Sequence, residues 1–249
     1  MKKKRSIIIN RAKRWTLVIF VIWACVGFAK LGLKIEPSTV EAWGIGNWAW
    51  IGWIEAFFLW CMSIGDFVFI CLATALIGFA AADKIGWRRT WISAGIIMGF
   101  SAMLETIGTL TSFPFGAYHY TNQFGPLIGG TLPWAIPMAW FIIIVGLHLI
   151  LSYWFWARNV WSMALIVAAL AVMIDWIMEP FAYGVRGYWQ WYIGYPPPAN
   201  YCTWFFASLL LDRASPLPLK TSGGTDWLCE TVLIMMLLTF IIGRIAYGV

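Results

Sequence analysis

Apolar runs of bilayer length, set apart by short polar or aromatic stretches, organise this chain from end to end. They cover Trp15–Leu33, Trp50–Ala82, Trp91–Leu110, Leu132–Phe155, Val160–Glu179 and Trp227–Tyr247. A helix needs about 20 apolar residues to cross a hydrocarbon core. The second run exceeds that, so it is either tilted or begins as an interfacial segment around Trp48, Trp50 and Trp53. Pro180 is expected to stop the fifth run. Tyr201–Leu211 is apolar but short, and reads either as a further span or as a re-entrant segment. Continuous apolar runs, rather than weak alternation over about ten residues, exclude a β-barrel. The expected fold is all-α, a polytopic membrane bundle of six to seven transmembrane helices in a single transmembrane domain over residues 1–249.

Composition agrees. The chain is 61% hydrophobic and 11% charged, with mean hydropathy +0.77, where a soluble domain carries about 25% charged residues. Most of the net charge of +6 comes from Lys2, Lys3, Lys4, Arg5, Arg11, Lys13 and Arg14. Residues 1–14 therefore read as a basic cytoplasmic segment, and no basic face recurs that would fit nucleic acid. Trp15–Phe28 is similar to the apolar part of a signal peptide, but Lys30 follows without a small-x-small site, so an uncleaved first span is expected. Lys84, Arg88, Arg89, Arg158, Arg213 and Lys220 share the N-terminal side, whereas the loops Thr111–Thr131 and Tyr183–Asn200 fall on the other. This pattern predicts a multi-pass protein of the cell membrane with its N-terminus in the cytoplasm. Cys25, Cys61, Cys71, Cys202 and Cys229 form no CxxC and read as small hydrophobes.

Five carboxylates interrupt the apolar runs: Glu55, Asp66, Glu105, Asp175 and Glu179. An acid in hydrocarbon is costly, which makes each a functional candidate; the alternative is a hydrogen-bonded helix contact. No lysine or arginine lies mid-span to pair with them. Glu105, Asp175, Glu179 and Glu55 all fall toward the non-cytoplasmic side, with Asp66 nearer the midplane. Asp175 and Glu179 are spaced i,i+4 and share a helix face. Beside Glu105 stands the aromatic loop Phe113-Pro114-Phe115-Gly116-Ala117-Tyr118-His119-Tyr120. His119 is open between loop hydrogen bonding and a site role, and His148 reads as a packed helix-contact residue.

Several chemistries drop out. Two histidines cannot build the histidine boxes of membrane di-iron enzymes. No GxGxxG follows a strand, no DDxxD-like pair is present to hold magnesium diphosphate, and the last span has no lysine for a retinal Schiff base. The expectation is chemistry without a metal or cofactor, needing only acids, aromatics and water, or no chemistry at all.

The segment Glu105-x-x-Gly108, Phe113-Pro114-Phe115-Gly116-x-Tyr118-x-Tyr120, Pro126 and Pro133-x-x-x-Pro137-x-x-Trp140 resembles the membrane carotenoid biosynthesis protein family. Asp175-x-x-x-Glu179-Pro180, Trp189 and Pro197-x-x-Asn200-Tyr201-x-x-Trp204 are similar to its second motif block. Members include carotenoid 1,2-hydratases and bisanhydrobacterioruberin hydratase. The resemblance implies an enzyme that adds water to the terminal double bond of an acyclic carotenoid. Its partners would be a carotenoid or other long polyene, membrane lipid and other carotenoid-pathway enzymes. Hydration needs a neutral carboxylic acid to protonate C-2, a surround for the tertiary cation at C-1, and a carboxylate to activate water. Glu105 or Asp175 is the candidate acid, and the other, or Glu179, the candidate base. Tyr118, Tyr120, Trp134, Trp140, Trp176 and Trp189 are candidates to surround the cation, with Glu55, His119 and Asn200 as further substrate-binding candidates. Two alternatives remain open. One is a carotenoid or terpenoid isomerase or cyclase on the same scaffold. The other is a non-catalytic lipid- or pigment-binding protein or a transporter, for which no inverted repeat is visible.

Overall fold

The computed structural model describes residues 2–44, 52–154, 159–221 and 227–249, with side chains from residue 8 onward except that of Trp154. Trp48, Trp50, Phe155, Arg158 and Asp226, and the side chains of Lys2 to Arg5, lie outside the described residues. The helices are α1 (Lys2–Gly32), α2 (Pro37–Ala42), α3 (Gly52–Ile85), α4 (Trp87–Thr111), α5 (Ala135–Trp154), α6 (Val160–Gly184), α7 (Pro198–Ala214) and α8 (Trp227–Tyr247). Among the described residues, six helices (α1, α3, α4, α5, α6 and α8) are long and apolar enough to cross a membrane. The chain is a multi-pass membrane protein.

The central helix is α5. It touches α3, α4, α6, α7 and α8, which themselves meet in the order α3, α4, α7, α6, α8 and back to α3. Within its span 78% of the residues are buried, against 17–39% in the other five. A helix apolar on every side belongs in such a core, while the ring helices can leave one face to lipid. α1 packs outside the ring, against α3 and α8.

Two short antiparallel sheets lie at one end of the bundle, the cap end. β1 (Tyr118–Tyr120) pairs with β4 (Trp189–Trp191), and β2 (Leu127–Ile128) with β3 (Leu132–Pro133). The two aromatic loops are thus one structure, joined by a ladder that pairs Tyr118 with Trp191 and Tyr120 with Trp189.

α7 has 17 residues, about 25 Å of helix against a hydrocarbon core of about 30 Å. Near its two ends Asn200 and Asp212 are both buried against partners. α7 runs parallel to α5 at a fixed offset. Trp204 stacks on Trp140 with ring centres 3.9 Å apart, and Asp212 meets His148 Nδ1 at 2.6 Å, a pair 64 positions apart like the first. His148 Nε2 lies 3.0 Å from the Pro218 carbonyl, so this histidine ties the segment after α7 to the basic end of the bundle.

Three expectations change. Pro180 does not stop α6, which continues to Gly184. The missing N–H frees one carbonyl, and packing carries the helix on, as membrane helices allow. Phe181 in that extension lies on Gly243 of α8, where an added Cβ would come within 2.2 Å of its ring. Asp66 is not near the midplane. From Asp66 to Ile85 α3 rises about 29 Å, so Asp66 stands at the cap-end margin. There it pairs with Arg186, so it does not lack a cation as expected. Arg186 lies in the loop Tyr183–Asn200, on the side opposite the basic turns.

Candidate active site

The site is built where α4, α5, α6 and α7 meet beneath the β1–β4 cap. Strand alternation sends Tyr118 and Tyr120, and Trp189 and Trp191, to one face of this ribbon, with His119 and Gln190 on the other. The four inward aromatics each carry one polar hydrogen, and each hydrogen goes to a carboxylate. Tyr118 and Tyr120 donate their hydroxyls to Glu105 Oε2 at 2.6 and 2.7 Å. The Trp189 and Trp191 indoles donate to Glu179 Oε2 at 3.2 and 3.1 Å. From below, Trp140 Nε1 donates to Glu105 Oε1 at 3.0 Å. Asn200 Nδ2 bridges two acids, donating to Asp175 Oδ2 at 2.8 Å and Glu179 Oε1 at 3.3 Å.

The acids enter from helix faces. Glu105 is on the buried face of α4 with Ser101 and Gly108. Gly108 lets the loop close down: a Cβ there would stand 2.6 Å from the Phe115 ring and 3.1 Å from the Tyr118 hydroxyl. Asp175 and Glu179 lie on successive turns of α6, and Asn200 is in the first turn of α7 behind Pro197-Pro198. The cavity they share has a volume of about 40 Å³. Its remaining walls include Phe115, Phe124, Ile136, Ile143, Met178 and Trp204.

Hydrogen-bond counting separates the three acids. Glu105 and Glu179 each accept three bonds from neutral donors, which leaves about one free lone-pair position on each carboxylate. Asp175 accepts one. Its Oδ1 is fully buried with no hydrogen-bond partner among the described residues. The phenols of Tyr118 and Tyr120 are pushed well above their ordinary range by burial and by the Glu105 carboxylate beside them, so they stay protonated and keep donating.

The family model described as carotenoid biosynthesis protein matches residues 65–247, which include every residue of this cavity. The chain belongs to the carotenoid biosynthesis protein family. Bisanhydrobacterioruberin hydratase of Haloarcula japonica is 23% identical over 126 residues, covering 48% of this chain and 42% of that protein. The chain thus spans less than half of that relative. No solved structure matches it.

In this member of the carotenoid biosynthesis protein family, Glu105, Asp175, Glu179, Tyr118, Tyr120, Trp140, Trp189 and Asn200 meet in one cavity. Glu55, His119, Trp134 and Trp176 do not line it. Glu55 is in the first turn of α3, ahead of the segment that the family model matches. His119 is turned outward by strand alternation and rests on the Tyr192 ring. Trp134 is exposed, and exposed Trp176 lies under Arg244. Sequence reasoning gave no site role to Trp191, Phe115 or Trp204. Period two from Trp189 points to Trp191, and period four from Asn200 points to Trp204.

Proposed function

We propose that this protein hydrates the terminal C-1,C-2 double bond of an acyclic carotenoid end group, without a cofactor. The observation that carries the reading is the contrast between Asp175, whose buried Oδ1 has no partner among the described residues, and Glu105 and Glu179, which each accept three hydrogen bonds. Asp175 is the general acid. Its proton goes to C-2, the π electrons form the new C–H bond, and a tertiary cation is left at C-1. The faces of the Tyr118, Tyr120, Trp140, Trp189, Trp191 and Trp204 rings stabilise that cation. Water adds through oxygen to C-1 and gives up a proton to Glu179, which has one lone-pair position left for it. The proton then returns to Asp175, the neighbouring acid on the same helix face, and Asn200 keeps the two acids in register. Glu105 stays anionic and opposes the positive charge. The net change is addition of one water.

The cavity of about 40 Å³ has room for the attacking water; the end group of a long polyene enters by displacing the rings around it, with the remaining chain among the helices and lipid. The reading also takes the chain as a single transmembrane domain of the cell membrane with the N-terminal basic segment in the cytoplasm. Expression in a lycopene-producing bacterial host, with mass analysis of the pigments, is the test. Pigments heavier by one or two waters support hydration. A pigment of unchanged mass but altered spectrum would replace it with isomerisation or cyclisation on the same scaffold.

A further inference from the structure

One corner of the cap is fastened by a charged pair that the acid chamber does not use. Arg186 follows the end of α6, and its Nε donates to Asp66 Oδ2 at 2.9 Å while Nη2 meets the same oxygen. Three residues after Arg186 comes Trp189, the first indole on Glu179. The intervening turn is held from several sides. Thr121 Oγ1 donates to the Gly187 carbonyl at 2.6 Å, and Thr121 N–H to the Tyr188 carbonyl at 2.9 Å. Tyr188 N–H donates to the Ala182 carbonyl at 3.0 Å, and its ring stacks on Phe124 at 4.1 Å. The Arg186 guanidinium lies 5.9 Å over the Tyr188 ring. Phe67, next to Asp66, packs under Gly125 on the β1 side of the cap, where a Cβ would come within 2.8 Å of its ring.

We propose that Asp66 and Arg186 are positioning residues: their ion pair fixes the start of β4 to α3 and so holds the Trp189 and Trp191 N–H groups on Glu179. Side chains 30% and 18% exposed contribute little to global stability as an ion pair. What the pair supplies is registry between a ribbon of three-residue strands and a rigid membrane helix. The catalytic half of the proposal rests on the hydratase reading above; the structural half does not.

The experiment compares four purified proteins in detergent: wild type, Asp66→Asn, Arg186→Gln and the charge-swapped Asp66→Arg/Arg186→Asp. Hydrogen exchange is read by mass spectrometry, and turnover and KM are measured with an acyclic carotenoid. Each single variant should exchange about 5-fold faster in residues 118–121 and 187–192, with α5 unchanged, and the swap should restore protection. Turnover should fall with the same pattern and recover in the swap, with KM little altered. Unchanged exchange in the single variants overturns the clamp. Loss of protection throughout the bundle, or a swap that restores nothing, also overturns it. A clamp visible in exchange in a wild-type protein that hydrates no carotenoid leaves the positioning role standing and removes the hydratase reading.

Discussion

Replacing Tyr120 with Phe tests whether Glu105 is a buried anion held by neutral donors. Its hydroxyl shares Oε2 with Tyr118, while Oε1 takes the Trp140 indole at 3.0 Å. An indole N–H cannot accept, so Oε1 must carry a lone pair there. With Glu105 ionised, the arrangement is one carboxylate and three donors. A hydrogen bond to a charged group contributes about 1.5–3 kcal/mol, whereas polar contacts between membrane helices average about 0.6 kcal/mol. Tyr120→Phe should therefore lower stability by about 1.5–3 kcal/mol. In a Glu105→Gln background, where the acceptor is neutral, the same change should cost under about 1 kcal/mol. The assay is a double-mutant cycle on reversible unfolding in mixed micelles, and the coupling should reach about 1 kcal/mol. Equal losses in both backgrounds, or a loss near 0.6 kcal/mol in the first, would refute an ionised Glu105.

Three further outcomes are expected. Asp175→Asn should fold and bind pigment but lose about 10²- to 10⁴-fold in hydration, read by pigment mass; product at wild-type levels would remove Asp175 as the acid. Gly243→Ala must displace the Phe181 ring, which lies 2.2 Å from the new Cβ, and should cost about 1–3 kcal/mol in unfolding measurements, with partial recovery in Gly243→Ala/Phe181→Leu. Burial raises the Tyr118, Tyr120 and Tyr188 phenols above the ordinary value of 10.0, so the folded state holds these protons more tightly than the unfolded chain. Their stabilisation is whole below about pH 10 and is lost as pH rises beyond it, by about 1.4 kcal/mol per unit per phenol; denaturation midpoints across that range should show a shallower slope in Tyr120→Phe.

The spans were legible because bilayer thickness imposes a length on apolar runs, and the last helix has the expected bounds, Trp227–Tyr247. Boundaries failed where tertiary packing outweighed a local rule, as at Pro180. Site acids were legible because a carboxylate in an apolar helix stands out whatever surrounds it. Their partners were legible only in part. Tyr118 and Trp189 belong to loops about 70 residues apart, and nothing local announces that three residues of each will pair as strands. Only that ladder makes alternation applicable, and alternation is what turns His119 outward and Trp191 inward. The depth of Asp66 is not legible from its apolar run, because the contact that marks it, Arg186, lies 120 positions away.

The donor set that faces the acids bears on the chemistry. Three carboxylates in one apolar cavity could have been balanced by lysine or arginine, yet the described residues that line it include neither. Their oxygens are met instead by two phenols, three indoles and one amide. A guanidinium here would neutralise the acids more strongly, but its full charge would also repel a carbocation formed a few ångströms away. Neutral donors orient the carboxylates without that repulsion, and the π faces of the same rings attract positive charge. The same side chains thus act in two directions in the proposed reaction, their N–H and O–H groups on the acids and their π systems on the cation. Substituting any of them by a cation should therefore harm turnover more than removing the hydrogen bond alone: Trp140→Arg more than Trp140→Phe.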